Sequence, residues 1–302
     1  VKTKRILVGV GAALAVGASA VAVFAGVQSS AYDASMDRVY DVPLPDIVRS
    51  TDPAVIARGK HLVDAVAGCS TRSCHAADLG GGQTVDMGPV GRFTGPNIST
   101  GGVAIAYSDG ELARLIRHGV KRDGRSVRFM PVEDFGWLPD SDVAAVISYV
   151  RSVPPVDRPN GPTGFTAFGK VLDRSNKLVI DVARHQTGVT YGVPPPPEAT
   201  PRYGSFLASA CKGCHGEHLS GGPIPGSPPS LPVPLDLTPS EDGLGHWSFA
   251  DFDRAITSGV KPDGSAINPF MPVEGFGKMD DTEKHALWSY LQSVPARPFG
   301  QR

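Results

Sequence analysis

Cys211-Lys-Gly-Cys214-His215 places two thiols one helical turn apart and an imidazole on the next residue. C-x-x-C-H is the spacing that attaches a c-type haem. Each thiol bonds one vinyl group of the same porphyrin, and the histidine sits under the iron as its proximal ligand. A looser copy lies upstream, Cys69-Ser-Thr-Arg-Ser-Cys74-His75, with four residues between its cysteines. The two stretches use all 4 cysteines of the chain. Other chemistries compete for such thiols: a Cys69–Cys74 disulfide, a Cys211–Cys214 redox dithiol, or a zinc ion on two cysteines and a histidine. No strand–helix alternation of the thioredoxin type surrounds Cys211, and a histidine directly after a cysteine is unusual zinc spacing. The expectation is two covalent haem c groups, held by Cys69 and Cys74 and by Cys211 and Cys214.

The chain repeats itself. Gly-Val-Lys, Asp-Gly, Phe-Met-Pro-Val-Glu, Phe-Gly and Ser-Val-Pro follow Gly119 and recur in the same order after Gly259. Such self-similarity marks a duplicated unit, and each copy begins with a C…C-H motif. His75 precedes Met130 by 55 residues and His215 precedes Met271 by 56. A thioether is a soft ligand suited to haem iron, and a His/Met pair raises the reduction potential. The expected axial pairs are therefore His75 with Met130 and His215 with Met271. The competing reading is that a Met after Phe fills a core. Pro131 and Pro272 favour a stiff loop that presents the sulfur. Met87 and Met279 are the other candidates; Met279 aligns with Leu138, and Met36 precedes the first unit.

The remaining sequence bounds the setting. With 29 basic against 30 acidic residues the net charge is −1, so nothing points to nucleic acid. The 302 residues suit two domains. The 36 glycines and 28 prolines make the chain loop-rich, and a covalent haem would supply apolar mass that a small domain lacks. Lys2, Lys4 and Arg5 precede an uncharged run from Ile6 to Val27, 22 residues long, enough to cross a bilayer with some tilt. It is expected to be a retained anchor, the alternative being a signal peptide cleaved near Val23-Phe24-Ala25. The positive flank then stays in the cytoplasm and the rest is exported. This puts the chain on the periplasmic side of a bacterial inner membrane, or free in the periplasm if cleaved.

The expected layout is residues 1–30 anchor or signal peptide, 31–49 linker, 50–155 first domain, 156–197 linker and 198–302 second domain. Each domain reads as all-α. A helix from Asp52 to Ala67 leads into Cys69. Ser108 with Glu111 forms a capping box for a helix that Gly119 ends, and Ser248, Asp251 and Gly259 repeat that arrangement loosely. Final helices carry Val143, Val146, Ile147 and Val150, and Ala286, Leu287, Tyr290 and Leu291; Pro154 and Pro295 stop them. Tyr107 and Trp247 occupy equivalent places before a helix, where a hydroxyl or indole N–H can reach a haem propionate or the ring can simply pack. Pro194–Pro197 reads as a stiff spacer. Phe168 to His185 reads as one amphipathic helix, with Lys170, Arg174, Lys177 and Arg184 on one side and Val171, Leu172, Leu178, Val179 and Val182 on the other. It suits either an anionic membrane surface or, preferably, the flank of a haem domain. His61, His118, His185, His218, His246 and His285 are not shared between the copies and are expected in ordinary surface or supporting roles.

These residues resemble the class I cytochrome c fold: an N-terminal helix, C-x-x-C-H, and a distal Met before the last helix. More narrowly, the chain is similar to cytochrome subunits of membrane-bound bacterial alcohol, gluconate and aldehyde dehydrogenases. Gly95-Pro96-Asn97-Ile98-Ser99, Tyr107-Ser108-Asp109, His118-Gly119-Val120 and Asp123-Gly124 carry the likeness in the first unit. Asp236-Leu237-Thr238-Pro239, Trp247-Ser248 and Asp263-Gly264 carry it in the second. The resemblance covers roughly 50–155 and 198–296 and implies two tandem cytochrome c domains behind a membrane anchor. Three departures stand out. The first motif has four intervening residues, a spacing that multihaem cytochromes of the c3 type tolerate. There are two units where those subunits usually have three, and Asp236 replaces Asn97. The implied function is single-electron carriage, as a free carrier or a dehydrogenase subunit. The implied partners are redox proteins (a dehydrogenase, an oxidase or another cytochrome) and the inner membrane. The alternative is a haem enzyme, such as a dihaem peroxidase or a thiosulfate-oxidising cytochrome. A peroxidase needs an open distal position, and the thiosulfate type uses a cysteine ligand that this chain does not have to spare.

Overall fold

The computed structural model describes all residues except 1, 190–192, 194, 226 and 228–230, and side chains from residue 10 onward. Pro194 of the expected spacer and the side chains of Lys2, Lys4 and Arg5 thus lie outside the described residues. In chain order the helices are α1 (Lys2–Asp37), α2 (Pro53–His61), α3 (Asp109–His118), α4 (Asp140–Ser152), α5 (Ala167–Arg174) and α6 (Val182–Gln186). They continue with α7 (Pro201–Leu207), α8 (Ser209–His215), α9 (Phe249–Ser258), α10 (Val273–Phe276) and α11 (Asp281–Ser293).

Helix α1 runs without a break past the expected boundary at residue 30. Its apolar part is exposed along its length, but Tyr32 and Met36 in the last turns are buried with Ile180. The former linker residues 31–37 therefore belong to the helix, and they dock it on the body of the protein.

Each repeat starts from a capped helix. The Asp52 carboxylate accepts the Ala54 N–H at 2.8 Å, with Pro53 at the first helical position, where its missing N–H costs nothing. Thr200 and Pro201 do the same for α7. Helix α2 ends in a buried π turn, Leu62–Val66, which carries the chain into Cys69. Both expected capping boxes form in full, Ser108 with Glu111 and Ser248 with Asp251, and Gly119 and Gly259 close α3 and α9 with φ of 65° and 69°. The second box is as complete as the first, although Asp stands where Glu would be longer.

The first and last helices of each repeat cross at a glycine. A Cβ on Gly59 would collide with the Ala145 carbonyl and touch the Tyr149 side chain. A Cβ on Gly204 would collide with the Ala286 carbonyl and the Tyr290 side chain. These backbone-on-backbone contacts join α2 to α4 and α7 to α11. Val143, Val146, Ile147 and Val150 are buried in the first crossing. Ala286, Leu287 and Leu291 are buried in the second, with Tyr290 half-buried.

The helical expectation holds broadly; among the described residues three short antiparallel strands accompany the helices: β1 (Val85–Asp86), β2 (Gly91–Phe93) and β3 (Gly164–Phe165), in the order β1-β2-β3. They are too short to show a sequence period. One expectation needs correction: the single helix over Phe168–His185 does not form, and α5 and α6 are separated by a turn. Buried Asp173 accepts the backbone N–H groups of Ile180 and Asp181 at 2.8 and 2.9 Å, and Asn176 takes a left-handed φ of 55°. An aspartate that captures nearby N–H groups competes with helix continuation. Helix α5 lies against the end of α1, where Lys170 pairs with Asp33 at 2.7 Å, and α6 packs on α3.

Candidate haem sites and their shared frame

In the second unit the motif is helical: Cys211, Cys214 and His215 sit on α8. In the first, the two extra residues turn the same segment into a closed loop. The His75 N–H reaches back to the Cys69 carbonyl at 3.0 Å, and the Cys74 N–H reaches that of Thr71 at 3.0 Å. The bulge is thus absorbed before the histidine. Gly82 and Gly95 let two chain segments close on the Cys74 carbonyl, which a Cβ at either position would strike.

Beyond the histidine the two frames share a set of hydrogen bonds. His75 Nδ1 donates to the Pro96 carbonyl at 2.8 Å, and His215 Nδ1 donates to the Leu235 carbonyl at 2.7 Å. With Nδ1 committed, each ring keeps Nε2 as its free ligand atom. Burial holds both imidazoles below the usual histidine range, which keeps them neutral. The Gly81 and Gly221 N–H groups return to the carbonyls of His75 and His215 at 3.0 and 2.9 Å. Leu79 and Leu219, both buried and both left-handed (φ 54° and 61°), accept from Ile98 and Leu237 at 2.8 Å. Asn97 and Asp236 differ in charge but act alike: each side chain accepts the N–H two residues on, from Ser99 at 3.0 Å and Thr238 at 2.7 Å.

The methionine loops also coincide. Pro131 (φ −79°, ψ 69°) and Pro272 (φ −78°, ψ 59°) adopt inverse γ-turns, with Val132 and Val273 N–H bonded to the carbonyls of Met130 and Met271 at 2.8 Å. Proline fixes the φ that this turn needs. Met130 and Met271 are half-buried and lie against the core that encloses the motifs. Their competitors have other places. Met279 is buried in the core, as is its sequence equivalent Leu138; Met36 is packed at the end of α1; Met87 precedes the turn into β2. Tyr107 and Trp247 are half-buried on the same core, their N–H groups equivalently bonded to Ala104 and Leu244 at 3.1 Å.

All four cysteines are free thiols. Burial pushes Cys69 and Cys211 up to about 12 and raises Cys74 and Cys214, so none has the lowered value of a redox dithiol. Paired neutral thiols, an imidazole with its second nitrogen committed, and a thioether on a rigid turn are a donor set that fits a covalent haem with His/Met ligation.

The two sites meet at a seam that the sequence does not announce. The loop Val132–Asp134 beside Met130 packs on α8, and α10 beside Met271 packs on the π turn before Cys69. The Glu274 carboxylate accepts the Arg72 N–H at 2.9 Å, and a side chain on Gly275 would press on Thr71. Trp137 and Phe206 meet edge to face at 5.4 Å across the seam. Arg158 and Arg302, each from the segment after a final helix, reach the equivalent carbonyls of Gly81 and Gly221 at 3.1 and 3.4 Å. The unshared histidines hold supporting roles: His61 pairs with Glu283, His185 with Asp173, and His285 stacks on Phe249 at 3.8 Å, while His218 and His246 are exposed.

Comparison with known proteins agrees with this frame. Residues 203–295 match the family model "Cytochrome c". The chain is 33% identical to the cytochrome c subunit of the quinone-dependent alcohol dehydrogenase of Gluconacetobacter polyoxogenes over 29% of its length, and 30% identical to the cytochrome subunit of the fructose dehydrogenase of Gluconobacter japonicus over 30%. It spans only 20% of each of those two proteins. A dihaem c-type cytochrome of Cereibacter sphaeroides is 28% identical over 76% of the chain and 82% of its own length. The segment that carries Cys211, Cys214, His215 and Met271 belongs to the cytochrome c family.

Proposed function

We propose that this chain is a dihaem electron-transfer protein, with one covalent haem c in each of two tandem cytochrome c domains, residues 50–155 and 198–302. The observation that carries this reading is the repeated frame: the imidazole Nδ1–carbonyl bond and the Met-Pro γ-turn recur in both units with bond lengths within 0.1 Å. Likeness to a dihaem cytochrome over most of both chains supports the count of two.

Cys69 and Cys74, and Cys211 and Cys214, are the attachment thiols. His75 with Met130 and His215 with Met271 would ligate the two irons, and Tyr107 and Trp247 would offer a hydroxyl and an indole N–H to the propionates. A bound haem c supplies a one-electron iron couple. The chain's own residues set the conditions: the carbonyls of Pro96 and Leu235 orient the imidazoles, the prolines hold the thioethers, and the apolar core excludes water. Helix α1 anchors the protein on the periplasmic face of the inner membrane. Its partners are redox proteins, as the relatives' names suggest, and the chain itself makes no bonds.

Haem stoichiometry by pyridine haemochrome, on protein matured with the c-type machinery, is the test. Two haems per chain are expected, falling to one covalent haem with two thioethers when Cys211 and Cys214 are both changed to Ser. A parent value of one would leave the C-x-x-x-x-C-H site without a haem and refute the dihaem reading.

A further inference from the structure

Helix α1 carries its apolar run into the body of the protein without a hinge. Neither glycine nor proline falls between Val27, where the run ends, and Asp37, where the helix ends, so nothing in this stretch favours a kink. Cover by the body begins early. Ser29 Oγ is buried and Gln28 is half-buried, while Val23 and Val27 are 66% and 60% exposed.

Helix α5 lies along this stretch, and its contacts fix its sense. Lys170 pairs with Asp33 at 2.7 Å. Further along α5, Asp173 accepts the Asp181 N–H at 2.9 Å, and Asp181 in turn accepts the Ser35 hydroxyl. Advancing on α5 from Lys170 to Asp173 thus advances on α1 from Asp33 to Ser35, and the two helices run in the same direction. The first turn of α5 therefore lies toward the apolar run, with Phe168 level with Ala31. Phe168 is 46% exposed and belongs to no core cluster among the described residues. Exposed Pro89 is held at the same end: its carbonyl accepts the Thr166 hydroxyl, and the next carbonyl, of Val90, accepts the Thr166 N–H at 3.0 Å.

Bilayer dimensions decide what this end meets. The 22 residues from Ile6 to Val27 span about 33 Å at the rise of an α-helix. A hydrocarbon core is about 30 Å thick, and headgroups add roughly 5–8 Å on each side. Along the helix Ala31 stands about 6 Å beyond Val27 and Asp37 about 15 Å beyond it. With the run tilted to fit the core, Ala31 and its neighbour Phe168 fall in the headgroup zone, and Asp37 clears it.

We infer that the first turn of α5, through Phe168, and the Pro89 turn beside it rest among phospholipid headgroups, so that α1 delivers the first unit to the bilayer surface in one fixed orientation. The inference rests on the anchor reading of α1 above and deepens it. A phenylalanine suits this zone, because its ring can enter the boundary between headgroups and acyl chains while the polar groups behind it stay hydrated. Phe129, next to Met130, packs with Tyr32, Met36 and Ile180, so the methionine side of the first site is the side held against the docked turns of α1.

The test uses the full haem-loaded chain, reduced, in nanodiscs of phosphatidylethanolamine and phosphatidylglycerol. A nitroxide is attached to Phe168→Cys, to Val16→Cys within the run, or to Val39→Cys, which is 65% exposed just past the end of α1. Haem content, spectra and one label per chain are checked first. Two relaxing agents report depth: nickel on a chelating lipid headgroup, and oxygen in the acyl region. Headgroup nickel is expected to relax the label at 168 more than the label at 39, by on the order of fivefold, and oxygen to relax the label at 16 most. Inserting Gly-Gly-Ser-Gly-Gly after Val27 breaks the continuous helix and should drop the nickel effect at 168 to the level seen at 39. Equal nickel effects at 168 and 39 in the parent, or an unchanged effect at 168 after the insertion, would each overturn the inference. A label at 16 that oxygen does not favour sinks the anchor reading itself, whereas a deep label at 16 with an aqueous label at 168 sinks only the headgroup contact.

Discussion

His61 Nε2 lies 2.9 Å from both carboxylate oxygens of Glu283, clasping α2 of the first unit to α11 of the second. Glu283 is buried, also accepts the Asp280 N–H at the start of α11, and has the Arg58 guanidinium at 3.9 Å. The hydrogen bond to Glu283 raises the His61 pKa against the opposing effect of burial. A histidine whose folded value is raised adds stability that is fully present below its ordinary value, about 6.5, and is lost as pH rises through the folded value. His61→Ala is expected to cost about 1.5–3 kcal/mol near pH 6. The deficit should narrow toward alkaline pH. Urea unfolding across that range is the check, and a deficit that does not vary with pH would remove the proton-linked part.

Gly59 and Gly204 should be intolerant of even one methyl. Because the atoms met are backbone carbonyls of Ala145 and Ala286, no side-chain rotation relieves the clash. Overpacking of this kind costs about 1–3 kcal/mol. Gly59→Ala and Gly204→Ala are each expected to lower the unfolding free energy by that much, read from urea denaturation curves. Gly213→Ala, on α8 but facing open space, should stay within about 0.5 kcal/mol of the parent.

Replacing Met271 with Ala should leave covalent haem in place and lower the potential of that centre alone. Axial ligands span about 0.8 V across haem proteins, and loss of the thioether is expected to move the midpoint by on the order of 0.1 V. Met130→Ala should do the same for the other centre, while Met279→Ala, in the packed core, should change stability and not potential. A redox titration separates the cases; two unaltered midpoints in Met271→Ala would remove that residue from the ligand set.

Asp134 gives a pH signature of opposite origin. Burial, with the Glu133 charge second, pushes its carboxyl up to about 8. The native chain then keeps a proton that the unfolded chain releases near pH 4, so this group's contribution to stability falls as pH rises from about 4 to about 8 and is level beyond. Asp134→Asn should match the parent at about pH 4 and exceed it above pH 8 by more than about 1.4 kcal/mol, the worth of a single pKa unit. Parallel stability curves for the two proteins would show that the carboxyl titrates normally.

Much of this architecture was legible because the chemistry is local. Thiol spacing, the histidine after the second cysteine and the Met-Pro dipeptide are contiguous signals, and the duplication read each against its copy. Capping boxes and glycine stops are likewise written within four residues. What escaped was decided at a distance. Nothing near Asp173 signals that its carboxylate will take two N–H groups and break the helix expected through His185. The strands of two or three residues have no period to read. Nothing in the sequence around Gly59 and Gly204 signals that α4 and α11 lie across them. His61 and Glu283 are 222 residues apart, and neither belongs to the repeat signature. Asn97 and Asp236 looked like a departure in charge, yet both use one oxygen in the same turn.

The reciprocal seam also bears on how such a chain can be inherited. The Met130 loop leans on α8 and the Met271 loop leans on the segment before Cys69, so each copy covers part of the other. Divided between the copies, the chain would yield two halves that each expose the side of a methionine loop now packed on its twin. A substitution on either packed surface is therefore felt by both copies, and the two are expected to be inherited as one unit.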